Sequence, residues 1–473
     1  MNKPRTIEGQ WWIFGDDKPA HFGVLTFDPE TGLTLSVKIP RSSTIEDIIF
    51  SSVKEWSKLP TVIHGTDQNN GPVTLFGCPF PRTGRSQGLE RYDIRSMAAL
   101  LGRNVPSWHD ARFLSAAAEY SLFHEWMGRD PVKRVTSTGG EPAITFETPP
   151  KFLFELTPGV RVQIESTLAS TIDVGRLEYL FGHRVWFHFD EPRSIGEIRD
   201  SYIHVFLRLL CLLTGSRVFT DSFQLTNGSP IKSGGTPTTE SELLQNCGGI
   251  SEAKRDKHLM TVFYKEIAGQ FEDVVRRWFD CDQRFAPVLD LYLNVKANPM
   301  ASQTRFLLLA QALEAYHSHS TKFTATELPK GEHKQRLEAV IKTAPVELQR
   351  WLKDRLASSN QKTLAMRIDD LLKSNAPEVA KLASSIPDFA EKVRHTRNYY
   401  THYSEELLRS GKVAQGTELI RLSYILQELL EICLLKEIGI QGKPIERILN
   451  FAATRQYYTL DEDQSSATGN GPN

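Results

Sequence analysis

Two kinds of hydrophobic spacing divide this chain. Through residue 190, short runs rich in aromatic and β-branched residues alternate with turn residues. Trp11, Trp12, Ile13 and Phe14 lead into Gly15-Asp16-Asp17. Phe22-Gly23-Val24-Leu25-Thr26-Phe27 leads into Asp28-Pro29-Glu30-Thr31-Gly32, and Leu33-Thr34-Leu35-Ser36-Val37 follows. Runs bounded by Asp, Pro and Gly in this way are hairpin signals. Further runs fall at residues 61–64, 73–76, 151–156, 160–166 and 185–189. One helical interruption is expected over 107–127, where Ala116, Ala117 and Ala118 favour helix. The pattern predicts a β sandwich or open barrel.

Residues 191–300 read as a mixed, transitional region. A helix is expected over 194–214 with Ser194 and Glu197 as a capping box, then a strand over 218–225. A loop of Gly, Ser, Thr and Pro follows at 228–239; its Gly234-Gly235-Thr236 lacks the Gly-Lys-Ser/Thr ending of a phosphate loop. Helices are expected over 256–267 and 283–295. From Ala301 the spacing becomes helical throughout: 301–319, 331–343, 345–357, 362–374, 387–410, 415–438 and 443–453. Short breaks such as Pro329-Lys330-Gly331 make this an all-α bundle. The polar tail, 461–473, is expected to lack structure. The fold class is α+β: a β-rich domain at 1–190, the mixed region at 191–300, a helical bundle at 301–455 and a tail at 456–473.

The segment 387–410 holds the densest chemistry. Ser385 is the expected N-cap, with Pro387 and Asp388 suited to a first turn. Phe389, Val393, Thr396, Tyr400, Tyr403 and Leu407 recur at spacings of 4, 3, 4, 3 and 4, one stripe along a helix. Core packing is the expected role of Tyr403, with Tyr399 more exposed. Arg397 falls at the edge of the stripe, and Asn398 and His402 lie one turn apart on the opposite face. Arg397 and His402 are about 140° apart on an ideal helix. A long side chain, a distorted turn or a second copy across a two-fold axis is needed to join them.

Composition bounds the partners. Of 473 residues, 40% are hydrophobic and 24% charged, with a net charge of −1, so no global field gathers nucleic acid and binding must come from a local patch. The five cysteines, Cys78, Cys211, Cys247, Cys281 and Cys433, form no C-x-x-C pair, which argues for a reducing compartment and against a zinc site. No secretory leader precedes the first β runs, and the longest apolar run, 203–213, is too short to span a bilayer. A cytoplasmic protein without a membrane partner is expected.

Arg397-Asn398-Tyr399-Tyr400-Thr401-His402 matches the R-(polar)-x-x-x-H signature and resembles the HEPN superfamily, with the ApeA-like HEPN proteins of bacterial phage defence nearest. The opening, Gly9-Gln10-Trp11-Trp12 through Phe27, resembles their N-terminal domain. The hexapeptide is not specific alone: Arg199…His204 has the same spacing, and Arg103…His109 and Arg176…His183 match looser forms. Only the 397–402 copy lies deep in the helical region.

The resemblance implies a metal-independent endoribonuclease with no cofactor. Arg397, His402 and Asn398 would be its catalytic residues, brought opposite their twins in a homodimer or higher oligomer. Histidine can take or give a proton near neutral pH, and arginine offers a planar fork matched to phosphate oxygens. The substrate's own 2′-OH would attack, leaving a 2′,3′-cyclic phosphate and a 5′-OH. RNA, with tRNA among the candidates, is the expected substrate, and a phage-derived trigger the expected activator of an abortive-infection effector.

Two other readings stand beside this one: a non-catalytic nucleotide- or RNA-binding HEPN module, and a protein- or glycan-binding β domain on a helical dimerisation scaffold. The early tryptophans fit a glycan binder, although filling a β core suits them better. Glu314 could approach the site from the first bundle helix but reads more naturally as a solvated side chain. His317 and His319 point apart on a helix. Asp369-Asp370 would need further acids to hold two metals.

Overall fold

The computed structural model describes residues 4–450 apart from 14–19, 41–60, 70, 80–81, 87–88, 129–131, 137–141, 147–150, 174–175, 229–239, 246–259 and 376–377. The Gly15-Asp16-Asp17 turn, Gly234-Gly235-Thr236, Cys247 and the tail from 461 lie outside the described residues. The chain forms two compact units, Met1–Thr214 with Val218–Met260, and Gly215–Arg217 with Thr261–Asn473.

The first unit is built from β1 (Arg5–Ile13), β2 (His21–Asp28), β3 (Gly32–Pro40), β4 (Thr61–Asp67), β5 (Pro72–Cys78), β6 (Arg82–Ser86), β7 (Leu89–Ser96), β8 (Ala98–Leu101) and β9 (Arg112–Tyr120). It continues with the short helix α1 (Phe123–Met127), β10 (Val132–Thr136), β11 (Pro142–Phe146), β12 (Phe152–Thr157), β13 (Val160–Asp173), β14 (Arg176–Ser194), the helix α2 (His204–Thr214), β15 (Thr220–Thr226) and β16 (Ser241–Gln245). Fourteen strands form one sheet in the order β12-β13-β14-β9-β15-β16-β8-β5-β4-β1-β2-β3-β7-β6, and β10 and β11 pair separately. The expected sandwich or open barrel is realised as an open sheet, whose edge strands β12 and β6 are not paired with each other.

The pleat follows the sequence alternation. In β2, Gly23, Leu25 and Phe27 are buried and Phe22 and Thr26 exposed, the period of two that a half-buried strand imposes. Trp11 joins Leu25, Leu35, Ile63 and Leu75 in the core, and its indole N–H donates to the Gly23 carbonyl at 3.1 Å. Its ring lies so close to Gly65 that a Cβ there would sit 2.3 Å from it. This tryptophan fills a core and presents no face to a sugar.

The helix expected over 107–127 is a correction. Arg112–Tyr120 is a strand, with Ala116, Ala117 and Ala118 fully buried, and only Phe123–Met127 is helical. Between β14 and β15 each alanine serves a doubly covered strand; burial and pairing outweigh alanine's helix propensity.

The second unit is helical: α3 (Phe271–Ala297), α4 (Ser302–His319), α5 (Lys330–Thr343), α6 (Val346–Arg355), α7 (Leu364–Asn375), α8 (Glu378–Ala383), α9 (Phe389–His402), α10 (Glu405–Arg409) and α11 (Gly416–Glu437), with residues 443–450 helical as well. A buried polar network locks α3 to α11. Lys296 Nζ stands 2.6 Å from Glu431, which also accepts from Tyr292 at 3.0 Å and Gln427 at 2.8 Å. Burial alone would raise the Glu431 carboxyl; the Lys296 ammonium and the two other donors hold it below the ordinary range.

The single helix expected over 387–410 is broken. Ser385 and Pro387 lie in a turn, and α9 begins after Asp388, a left-handed residue (φ 51°) whose side chain makes no cap. It ends at His402 because Tyr403 is also left-handed (φ 52°). Ser404 then caps α10, its hydroxyl accepting from the Leu407 N–H at 3.4 Å. Ser404 followed by Glu405 and Glu406 is itself a helix-start pattern, and it overrides the continuing apolar stripe.

Candidate active site

The inner face of α9 is fixed before its outer face can do chemistry. Phe389, Val393, Thr396 and Tyr400 are buried, as the stripe predicts. Thr396 Oγ1 accepts from the Ala414 N–H at 3.0 Å and Tyr400 donates to the Ala414 carbonyl at 3.4 Å. Those two bonds fasten the segment after α10 back onto α9. Burial raises the Tyr400 phenol above its usual range, so it is a neutral donor.

Arg397 is half-buried. Its Nη2 lies 3.0 Å from Glu314 Oε2 on α4, and its Nη1 donates to Asn398 Oδ1 at 3.3 Å. Glu314, expected on a solvated face, is thus the acid that meets the motif arginine. The missed signal is its setting: Leu313, Tyr316 and His317 around it are all buried, so the neighbouring face of α4 is an interface.

His402 is exposed, at the last helical position, and has no hydrogen-bond partner among the described residues. Among the described residues, then, a side-chain hydrogen bond joins Arg397 with Asn398, and none joins either of them to His402. Tyr403 is 65% exposed, a correction to its expected core role. Its ring meets Tyr399 at 5.6 Å and Tyr400 at 6.3 Å, and Tyr399 meets Tyr400 at 5.0 Å. The three rings form a half-open aromatic cluster beside the histidine.

The other cations of the helix are matched by acids. Lys392 stands 2.8 Å from Glu418 and Arg394 2.7 Å from Glu391. His395, held below its usual range first by burial and then by Arg394, sits 3.5 Å from Glu391. Beneath the site, Asp370 on α7 takes Lys362 at 2.6 Å and His317 at 2.9 Å. Burial depresses the His317 imidazole despite that acid. Arg367 donates to the Glu314 carbonyl at 3.2 Å, so a second arginine steadies the turn that carries the motif's partner.

The competing copy at 199–204 is built differently. Arg199–Ile203 is one π-helical turn, closed by the His204 N–H on the Arg199 carbonyl, a wider turn than an α-helix makes. Arg199 grips its neighbour Asp200 at 2.7 Å and lies over the Trp108 ring at 5.1 Å. His204 stands 3.7 Å from the same carboxylate. The arginine is thus engaged twice within its own unit.

Two family models match the chain: ApeA N-terminal domain 1 over residues 6–278, and Apea-like HEPN over residues 307–443. Neither the curated proteins nor the solved structures gave a match. Among the described residues no helix is long and apolar enough to cross a membrane.

Proposed function

Because the chain belongs to the ApeA-like HEPN family, we propose that it is a metal-independent endoribonuclease acting as an abortive-infection effector against phage. The observation that carries this reading is His402: an exposed imidazole whose ring has no partner among the described residues, on the same helix as a half-buried arginine already paired with Asn398.

In this reading a ribose 2′-OH gives its proton to a His402 imidazole as its oxygen attacks the adjacent phosphorus. The bond to the leaving 5′-oxygen breaks, and that oxygen takes a proton from a second acid. One histidine cannot be both base and acid in the same turnover step, so a second copy of α9 across a homodimer or higher oligomer supplies the other. Arg397 leaves Glu314 to neutralise the phosphorane oxygens, where a fixed fork stabilises charge as it develops. Asn398, whose carbonyl is held by Arg397, turns its amide N–H groups toward phosphate. The products are a 2′,3′-cyclic phosphate and a 5′-OH. RNA, tRNA included, is the substrate, the cytoplasm is the site of action, and a phage-derived component is the trigger read by the β-rich unit. The helical bundle of residues 301–455 carries the reaction.

Incubating the full chain with total RNA in EDTA tests this. Cleavage that Arg397→Ala and His402→Ala both abolish supports it; cleavage that needs added magnesium, or survives both substitutions, overturns it. The second reading is a module that binds RNA without cutting it. The Arg397–Glu314 pair favours that reading, since an arginine held by an acid is less ready for phosphate.

A further inference from the structure

The helical hairpin α5–α6 is unlike the rest of the bundle: none of its residues is buried. Its seam is thin, made of half-buried Leu337 and Ile341 on α5 and Leu352 on α6. Outside that seam, Leu348, Trp351 and Arg355 line a second stripe at spacings of 3 and 4. Trp351 is 56% exposed, with the Arg355 guanidinium 6.0 Å from its ring.

Charge says what would cover this stripe. Of the 56 basic and 57 acidic residues in the chain, residues 330–355 hold seven and four. The hairpin is therefore +3 in a chain whose net charge is −1. Lys342, Arg350 and Lys353 have no acid partner among the described residues. Exposed cations on the same hairpin as a half-exposed indole suit a partner that offers phosphates and flat bases together, whereas an apolar protein partner would leave the cations unmatched.

The arm is also anchored to the candidate site. Its base is clasped by Asn360, whose side chain accepts from the Leu328 N–H at 2.9 Å and donates to the Leu328 carbonyl at 3.0 Å. The Lys362 N–H donates to the Ala325 carbonyl at 3.0 Å, and Lys362 Nζ reaches Asp370, the partner of His317. His317 follows Glu314 by one turn of α4, so the clasp is linked through Asp370 to the stretch of helix that holds the Arg397–Glu314 pair.

We propose that α5–α6 is an RNA-gripping arm, in which Lys342, Arg350 and Lys353 take phosphates and Trp351 stacks on an unpaired base. This rests on the ribonuclease reading for its substrate class. The test uses the full chain carrying His402→Ala, so that RNA survives, and a fluorescent single-stranded 20-nucleotide RNA titrated at several salt concentrations. Trp351→Ala should weaken binding about tenfold and Trp351→Phe much less. The triple change Lys342→Glu, Arg350→Glu, Lys353→Glu should flatten the slope of log affinity against log salt by about 2. All four positions are exposed, and matching thermal melts check that the variants fold. Unchanged affinity and slope overturn the proposal, as does a change of oligomeric mass with RNA binding intact, which would give the stripe to a second copy. If hairpin variants bind and cut RNA normally, the arm fails and the nuclease stands. If RNA binding depends on the hairpin but the unaltered chain never cuts, the arm stands and the nuclease fails.

Discussion

Arg397 Nη2 lies 3.0 Å from Glu314 Oε2, so the motif arginine of α9 is held by an acid of α4. The pair is partly exposed, and such pairs are worth about 1 kcal/mol or less. Phosphate competes with Glu314 for the same fork. Glu314→Gln keeps an oxygen acceptor but removes the rival charge, and should tighten RNA binding about threefold to fivefold in the His402→Ala background. Arg397→Ala should lower single-turnover cleavage about 100- to 1000-fold. Weaker binding by Glu314→Gln would mean that the acid orients the arginine and does not compete for it.

His402→Ala should reduce cleavage by a factor on the order of 100 to 10,000 and leave stability unchanged, because the ring is exposed and has no partner among the described residues. Quench-flow rates on a labelled RNA and a thermal melt of the same preparation check both halves. A single-stranded DNA of the same sequence, lacking the attacking hydroxyl, should survive.

Thr396→Val keeps the shape of a buried side chain but removes the acceptor for the Ala414 N–H. An orphaned buried donor costs about 1–3 kcal/mol, measurable by urea unfolding. Because that bond fastens the segment behind α9, proteolysis near 410–415 should accelerate in the variant.

Lys296→Met strands Glu431 in the core and should cost about 3–5 kcal/mol at pH 7. The sign of the pH dependence then reverses. With Lys296 present, the Glu431 carboxyl is held down, so its contribution is full above the unfolded pKa and is lost as pH falls. Without it, burial alone raises the carboxyl, and acidification should recover stability. Urea melts at pH 7 and pH 5 for both chains would show crossing trends.

In the sheet unit, burial, with a smaller contribution from Arg161, depresses His188 from 6.5 to about 4. A folded-state pKa below the unfolded value means that the unfolded chain binds the extra proton. The neutral ring's contribution is intact above pH 6.5 and lost as pH falls toward 4. His188→Asn, which keeps a partner for the Ser115 hydroxyl now 3.0 Å from His188 Nδ1, should remove on the order of 3 kcal/mol from that acid slope.

Much of the fold was legible because burial writes a period into the sequence. The helices from 301 onward follow their apolar spacing, and β2, β3, β4, β5 and β12 emerge where β-rich runs meet turn residues. What stayed hidden was non-local. Nothing around Ala116-Ala117-Ala118 announces that two strands flank it, so local propensity pointed to a helix. The break at Tyr403 was written in Ser404-Glu405-Glu406, yet the stripe running on to Leu407 masked it. At the site, the hexapeptide 397–402 drew notice through the family it resembles, because its spacing alone recurs at Arg199…His204. The meeting of Arg397 with Glu314, 83 residues earlier, depends on how α4 packs against α9.

The early end of α9 gives the two motif residues unequal footing. Terminal turns open far more readily than interior ones. Arg397 is braced in mid-helix, while His402 rides the last turn, secured chiefly by the Tyr403 N–H on the Tyr399 carbonyl. A centre assembled from them has one rigid jaw and one that can adjust. Whatever docks there would stiffen the loose jaw, so slowed amide exchange at residues 399–403 would be an early mark of engagement.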